Sequence, residues 1–181
     1  MPAEPLHPIE RVVLLGFMAA GKTETGAELA RLLGWTHVDL DREIERRAGR
    51  SVAEIFATEG EARFREMEAE ATRDVARRPG VVLSPGGGWI TRADNLEALG
   101  AATLSVWLQV SPEEAVRRAS ATPGERPLLA GPDPLAAARR LLAERAPLYA
   151  RAALHLTTED RSPAQVAAII ANELRARGGP A

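Results

Sequence analysis

The sequence contains no cysteine, which excludes disulfide bonds and thiolate-bound metal. Its three histidines, His7, His37 and His155, are far apart and lack the spacing of zinc ligands, so we expect no zinc site. The net charge at pH 7 is only −2. Because no overall positive field is present, we expect no nucleic-acid partner and no attraction to an anionic membrane.

Long apolar runs are also missing. The longest, VVLLGFMAA at residues 12–20, is far too short to span a bilayer. The first residues, MPAEPLHPIER, have neither the basic region nor the apolar run of a secretory signal. We therefore expect a cytoplasmic protein, and 181 residues of which 45% are hydrophobic suffice for one domain with a full core.

Lysine is almost absent as well. Of the 23 lysine and arginine residues only Lys22 is lysine, and it lies in LLGFMAAGKTETG, residues 14–26. Together with Gly16, Gly21 and Thr23 it fits the G-x-x-x-x-G-K-[ST] pattern of a phosphate-binding loop. Glycines allow backbone N–H groups to turn toward an anion, and a compact ammonium can reach the β- and γ-phosphates. The other explanation is a chance match in a glycine-containing turn.

Strands and helices are predicted to alternate along the chain. The apolar runs predict strands at residues 11–17, 36–41, 80–88, 102–110 and 154–158. Helices are predicted after the first, second, fourth and fifth strands; the first ends at Gly34, and another covers residues 51–78. The predicted caps are Ser51, Ser111 and Ser162. A helix that follows segment 121–134 is expected to be interrupted near Pro147. This alternation predicts a parallel sheet with helices on both faces, whose ligands bind beyond the carboxyl ends of the strands. The Pro- and Gly-rich segment 121–134 is predicted to be a lid loop.

Two acidic residues follow the second predicted strand. Asp39 and Asp41 are two residues apart, so on a strand their side chains would share a face. One carboxylate could serve hydrated Mg²⁺, and the other could orient an acceptor hydroxyl or take its proton. Without the phosphate-binding loop, we would interpret them as a solvated strand end that caps the next helix.

Three arginines lie in unusual surroundings. Arg65 precedes Glu68 by three residues on one helix face, Arg126 lies in the predicted lid, and Arg145 precedes APLY. Arginine clamps carboxylates and phosphates with paired hydrogen bonds. The Arg65–Glu68 pair could instead be an ordinary surface ion pair.

Over nearly its whole length the chain resembles the shikimate kinase family. The resemblance rests on GFMAAGKTETG, HVDLDREIE, IFATEGEARFREME, LSPGGG, RPLLAGPD, RAPLY and DRSP, in this order. It implies a P-loop fold like that of nucleoside monophosphate kinases, with a five-stranded parallel sheet in the order 2-3-1-4-5. It also implies one domain over residues 1–181, transfer of the γ-phosphoryl group of ATP to the 3-hydroxyl of shikimate, and use of Mg²⁺.

The resemblance further implies roles for individual residues. Catalytic roles fall to Lys22, Asp41 and Arg126, and Mg²⁺ is held through Thr23 and Asp39. The nucleotide-binding residues would be Gly16, Ala19, Ala20, Gly21, Lys22, Thr23, Glu24, Arg118, Arg126 and Arg161. Shikimate would contact Asp41, Arg65, Gly86, Gly87, Gly88 and Arg145, with a helical region at about 42–78 and Glu68 orienting nearby groups.

Some positions and functions stay open. Ala19 stands where such loops often have glycine, so its backbone angles should be ones that a β-carbon tolerates. Glu24 is expected to point away along the helix surface, and Trp89 could line the pocket or belong to the core. The alternatives are another small-metabolite kinase, such as a gluconate or nucleotide kinase, and a non-catalytic ATP-binding module. We expect a monomer.

Overall fold

The structure is a computed structural model that describes residues 8–121 and 131–179. Most of the predicted lid, including Arg126, lies outside the described residues, as does His7. None of the helices in the described ranges is both long enough and apolar enough to cross a membrane.

Five short strands form one parallel sheet in the order β2-β3-β1-β4-β5, which confirms the predicted strand order. Their bounds are β1 Arg11–Leu15, β2 Thr36–Asp39, β3 Val81–Ser84, β4 Thr103–Gln109 and β5 Leu154–Thr157. All residues of β1 and β3 are buried. Both strands read as nearly continuous apolar runs because a parallel sheet is covered on both faces.

Seven helices occur in the described ranges. They are α1 Lys22–Leu33, α2 Leu40–Ala48, α3 Val52–Ala76, α4 Ala93–Ala98, α5 Pro112–Ser120, α6 Pro134–Tyr149 and α7 Pro163–Ala176. Ser51, Ser111 and Ser162 cap α3, α5 and α7 as predicted, each accepting a hydrogen bond from the amide three residues later. A short 3-10 helix, Trp89–Thr91, and α4 were not predicted.

Two helices differ from the prediction. α3 was expected to be continuous but is kinked at Gly60, whose φ of 82° and ψ of 171° are not helical. The predicted interruption of α6 near Pro147 is wrong, because the helix runs through the proline and ends at Tyr149. Pro147 lies in the last turn, where its missing N–H removes one hydrogen bond to the preceding turn and the helix continues for two more residues.

Helix α1 packs closely against the sheet at Gly26, which has no side chain. A β-carbon added to Gly26 would lie 2.5 Å from Ser84 Oγ and 2.6 Å from His37 Nε2. Ser84 Oγ in turn donates a hydrogen bond of 2.9 Å to the carbonyl oxygen of Lys22. The first turn of α1 is therefore fixed directly to the end of β3.

Trp89 belongs to the core. It is fully buried, and its Nε1 donates a hydrogen bond of 2.9 Å to Thr72 Oγ1. The tryptophan therefore packs the triple-glycine turn against α3 and does not line a pocket.

Candidate active site

The phosphate-binding loop connects β1 to α1 and depends on two glycines. Gly16 has a φ of 148°, and a β-carbon there would lie 2.5 Å from the carbonyl oxygen of Leu108. Gly21, with a φ of 85°, is the residue before α1 and makes no side-chain cap. The first-turn amides of α1 consequently point to the space above the loop, where they can bind an anion.

Lys22 folds over this loop. Its Nζ donates hydrogen bonds of 2.8 Å to the carbonyl oxygens of both Gly16 and Phe17. The ammonium therefore lies above the loop and not along the outer surface of α1. This position is the one at which a point charge meets a bound phosphate.

The expectation for Ala19 is wrong. Its φ is +58°, in the left-handed region that L-residues with a β-carbon rarely adopt. This conformation costs about 1–2 kcal/mol relative to the right-handed one. The Ala19 carbonyl accepts a hydrogen bond of 3.2 Å from Arg118 Nη1, which helps to hold the loop in this shape.

Thr23 and Asp39 meet across the gap between α1 and β2. Thr23 Oγ1 donates a hydrogen bond of 3.0 Å to Asp39 Oδ2. The other oxygen, Asp39 Oδ1, accepts from the amide of Arg42 at 3.2 Å and so caps α2. A hydroxyl and a carboxylate oxygen this close are hard oxygen donors of the kind that Mg²⁺ prefers, so the two residues fit that ion.

Asp41 is not on a strand, which corrects the reasoning that paired it with Asp39. β2 ends at Asp39, and Asp41 lies in the first turn of α2. It still reaches the same region, because a β-carbon on Gly86 would lie 3.3 Å from both of its carboxylate oxygens. The strand-to-helix turn, and not strand alternation, brings the two aspartates together.

The Asp41 carboxyl is in an unusual electrostatic environment. Burial, reinforced by the charge of Asp39, raises its pKa to about 6, although Lys22 and Arg65 oppose the shift. Its Oδ1 is buried and has no hydrogen-bond partner among the described residues. A buried carboxylate oxygen without a partner is costly, and a ligand hydroxyl could satisfy it.

Arg65 and Glu68 form an ion pair in which the glutamate is fully buried and the arginine is partly exposed. Arg65 Nη1 donates to Glu68 Oε2 at 2.7 Å, and the Glu68 side chain is 0% exposed. Burial raises the pKa of Glu68 to about 7 against the opposing charge of Arg65. Because the Glu68 side chain is fully buried, the pair is not an ordinary surface ion pair.

The triple glycine is the meeting point of the predicted substrate residues. A β-carbon on Gly88 would lie 2.4 Å from Arg65 Nη2, and one on Gly87 would lie 3.5 Å from Arg145 Nη1. A β-carbon on Gly86 would lie 3.3 Å from the carboxylate oxygens of Asp41. Three helices thus each place one charged side chain against a different glycine of this turn.

A cavity of about 740 Å³ adjoins the phosphate-binding loop. It is lined by loop residues, by the end of α5 and by the segment between β5 and α7, including Ala19, Ala20, Gly21, Glu24, Arg117, Arg118 and Arg161. Glu24 is exposed but lines this cavity, which departs from the expectation that it points away.

The two predicted arginines of this cavity are held by backbone carbonyls. Arg118 Nη2 donates to Thr158 O at 3.0 Å, and Arg161 Nη1 donates to Thr157 O at 2.8 Å. Sequence reasoning missed Arg117 as a lining residue. Its position in the last turn of α5, next to Arg118, was the available signal.

Removing Arg65 tests the burial of Glu68. We expect Arg65→Ala to lower the free energy of unfolding by about 2 kcal/mol or more at pH 8, where Glu68 would be a buried charge without its partner. The loss should be smaller at pH 5.5, because Glu68 is then neutral in the folded state. Urea unfolding at both pH values measures this difference.

The matched control is Arg63→Ala, two residues earlier on α3. Arg63 forms exposed ion pairs with Glu59 and Glu66, so its removal should change stability far less than the removal of Arg65 does at pH 8, and equally at either pH. Equal losses for the two variants, or a loss for Arg65→Ala that does not depend on pH, would contradict the buried pair.

Together, the sheet order and the phosphate-binding loop beside a carboxylate and arginine cluster define a P-loop kinase. The family model for shikimate kinase matches residues 18–175 of the chain. The chain belongs to the shikimate kinase family.

Individual relatives agree with this assignment. The chain is 45% identical over 169 residues to the shikimate kinase of Symbiobacterium thermophilum. The matched region covers 92% of this chain and 97% of the relative. The structure of shikimate kinase from Acinetobacter baumannii in complex with shikimate is 36% identical. The two structures superimpose with a TM-score of 0.86, and the superposition covers 93% of this chain and 94% of the Acinetobacter chain.

A more distant neighbour bears on the alternative kinase. A gluconokinase from Sinorhizobium meliloti covers 94% of this chain and 99% of its own, with a TM-score of 0.58 but only 14% identity. At that identity the likeness shows the shared fold alone. The gluconate-kinase alternative is therefore not favoured.

Proposed function

We propose that this kinase transfers the γ-phosphoryl group of ATP to the 3-hydroxyl of shikimate. ATP-dependent phosphorylation of shikimate is the activity of the family to which the chain belongs. The observation that carries the proposal is the convergence of Asp41, Arg65 and Arg145 on residues 86–88, next to the phosphate-binding loop. A small ring with one carboxylate and several hydroxyls matches that set of groups.

The acceptor is held by charge and by close backbone approach. Arg65 and Arg145 bind the carboxylate of shikimate, since guanidinium groups pair well with carboxylates. Asp41 accepts hydrogen bonds from the ring hydroxyls, which gives its buried Oδ1 the partner it lacks among the described residues. The triple glycine has no side chains and so leaves room for the ring.

The nucleotide occupies the phosphate-binding loop and the adjoining cavity. The amides of the first turn of α1 bind the phosphates, and Lys22 lies between the loop and the transferred group. Arg118 and Arg161 flank the base, as the resemblance implies. Arg126, which lies outside the described residues, is proposed to reach the transferred phosphoryl group.

Mg²⁺ belongs to the proposal as well. Thr23 and Asp39 would hold it, because their oxygens are paired at 3.0 Å beside the first turn of α1. When bound, the ion neutralises charge on the phosphate oxygens.

Phosphoryl transfer requires positioning and charge stabilisation more than covalent chemistry. With a pKa of about 6, Asp41 is mostly ionised at pH 7–8. It can orient the attacking hydroxyl and accept its proton as the bond to phosphorus forms. Lys22 stabilises the charge that develops on the transferred group.

An acceptor panel tests the function. ADP formation from ATP and Mg²⁺ is measured with shikimate, gluconate, AMP or no acceptor. We expect stimulation by shikimate alone. If gluconate or AMP stimulates instead, the acceptor assignment fails. If no acceptor stimulates while ATP still binds, the chain is a nucleotide-binding module and the proposed function is wrong.

We also propose that the protein is a cytoplasmic monomer. Among the described residues only two large hydrophobic side chains, Leu32 and Phe56, are exposed. They do not make a patch of the size that stable dimers bury. Light scattering coupled to gel filtration should give the mass of one 19.4-kDa chain.

A further inference from the structure

Tyr149, the last residue of α6, has a role that its motif does not reveal. Its side chain is 1% exposed, and its hydroxyl donates a hydrogen bond of 2.5 Å to the carbonyl oxygen of Gly87. The ring lies beside Trp107, with ring centroids 5.9 Å apart. The tyrosine is thus buried against the triple-glycine turn and bonded to it.

The bond from Tyr149 differs from the other bonds that hold this turn. The carbonyl of Gly86 accepts from the amide of Trp89, and that of Gly88 accepts from the amide and hydroxyl of Thr91. Both partners are three residues away and define only the local turn. The partner of Gly87 is 62 residues away and fixes the turn to α6.

Arg145 lies one helical turn before Tyr149 on α6, so the two side chains share a face. The position of a β-carbon on Gly87 is 3.5 Å from Arg145 Nη1. Burial raises the pKa of Tyr149 to about 12, while the charge and hydrogen bonding of Arg145 act in the opposite direction. The guanidinium, the hydroxyl and the Gly87 carbonyl are therefore neighbours, and the hydroxyl stays protonated as a donor.

We propose that Tyr149 is a positioning residue for the acceptor site. By bonding Gly87 from the helix that carries Arg145, its hydroxyl sets the distance between the Arg145 guanidinium and the glycine backbone. Shikimate then meets a site already formed and does not have to order it on binding. The inference rests on the proposed function and deepens it, because it assigns acceptor affinity to a residue that does not itself touch the substrate.

The test is Tyr149→Phe, which keeps the ring and removes the hydroxyl. We expect the KM for shikimate to rise about tenfold, because a buried carbonyl loses its partner and the turn is released from α6. The KM for ATP should stay within about twofold, since neither Tyr149 nor any of the glycines 86–88 lines the cavity proposed for the nucleotide. Steady-state kinetics with each substrate varied in turn gives both values.

Two further measurements separate positioning from simple stability. Irreversible loss of folded enzyme lowers the apparent kcat and leaves KM unchanged, whereas reversible unfolding raises the apparent KM for both substrates. A rise confined to the KM for shikimate therefore indicates positioning even if Tm falls. Ser105→Ala is the matched control. It removes another buried hydroxyl, one that accepts from the amide of Ala153, and it should leave both KM values unchanged.

Coupling to Arg145 is tested by a double-mutant cycle in direct shikimate titrations. Tyr149→Phe should weaken binding by a smaller factor in an Arg145→Ala background than in the wild type. An unchanged KM for shikimate in Tyr149→Phe, equal changes in both KM values, or full additivity in the cycle overturns the inference and leaves the proposed function standing. A wild-type enzyme that shikimate does not stimulate overturns both.

Discussion

Replacing Asp41 with asparagine is expected to lower kcat for shikimate phosphorylation by about 10²- to 10⁴-fold. Such losses are typical when a positioned general base is removed. The amide keeps the size of the side chain but can neither accept the proton nor present two acceptor oxygens to the ring hydroxyls. Steady-state ADP formation at saturating ATP and shikimate measures the effect.

The same variant should be more stable than the wild type. The Asp41 pKa is raised from 3.8 to about 6 on folding, so the folded state binds more protons than the unfolded state between these values. Wild-type stability therefore falls as pH rises from about 4 to 6, and asparagine removes this penalty. We expect a gain on the order of 2 kcal/mol at pH 8 and almost none below pH 4.

The matched control is Asp94→Asn, on an exposed residue in the first turn of α4. It should change neither kcat nor stability by a measurable amount. If Asp41→Asn keeps kcat within tenfold of the wild type, Asp41 positions the hydroxyl without acting as a base. If it gains no stability at pH 8, the buried carboxylate is not a source of strain in the free enzyme.

The second large effect is expected at the single lysine. Lys22→Ala should lower kcat by about 10²- to 10³-fold, the typical loss when one group that stabilises transition-state charge is removed. Lys22→Arg retains the charge but should still lose at least about tenfold, because a wide guanidinium cannot occupy the position where Nζ lies 2.8 Å from two loop carbonyls. Turnover assays and ATP titration calorimetry separate chemistry from nucleotide binding.

Arg31→Ala is the control for removing a cation from the same helix. Arg31 lies in the last turn of α1 and pairs with Glu28 at the surface, so its loss should leave kcat unchanged. Full activity in Lys22→Arg would mean that only the charge at this position matters and that lysine is not specifically required.

Local sequence was sufficient for the features that depend on neighbouring residues. The phosphate-binding loop, the serine caps of three helices and the αL glycine that ends α1 all follow from short-range backbone requirements. The approximate strand positions followed from apolar runs. The strand order was inferred from the family resemblance and not from the residues themselves.

Some local predictions failed because the wrong local rule was applied. Asp41 was placed on a strand, whereas Asp39 already caps α2 and turns the chain into a helix. Ala19 was expected to adopt ordinary angles, but the loop imposes a φ of +58° on it. In both cases the path of the surrounding backbone overrode the preference of the individual residue.

The sequence by itself determined that this chain has a phosphate-binding loop in an alternating β/α fold, and its motifs identified the family. Only the tertiary structure decided which charged groups are buried and which glycine each one meets. Glu68 has a raised pKa because α3 packs it out of water, and Tyr149 reaches Gly87 across 62 residues. Burial and long-range contacts arise from the packing of distant segments, and a pattern of neighbouring residues does not contain that information.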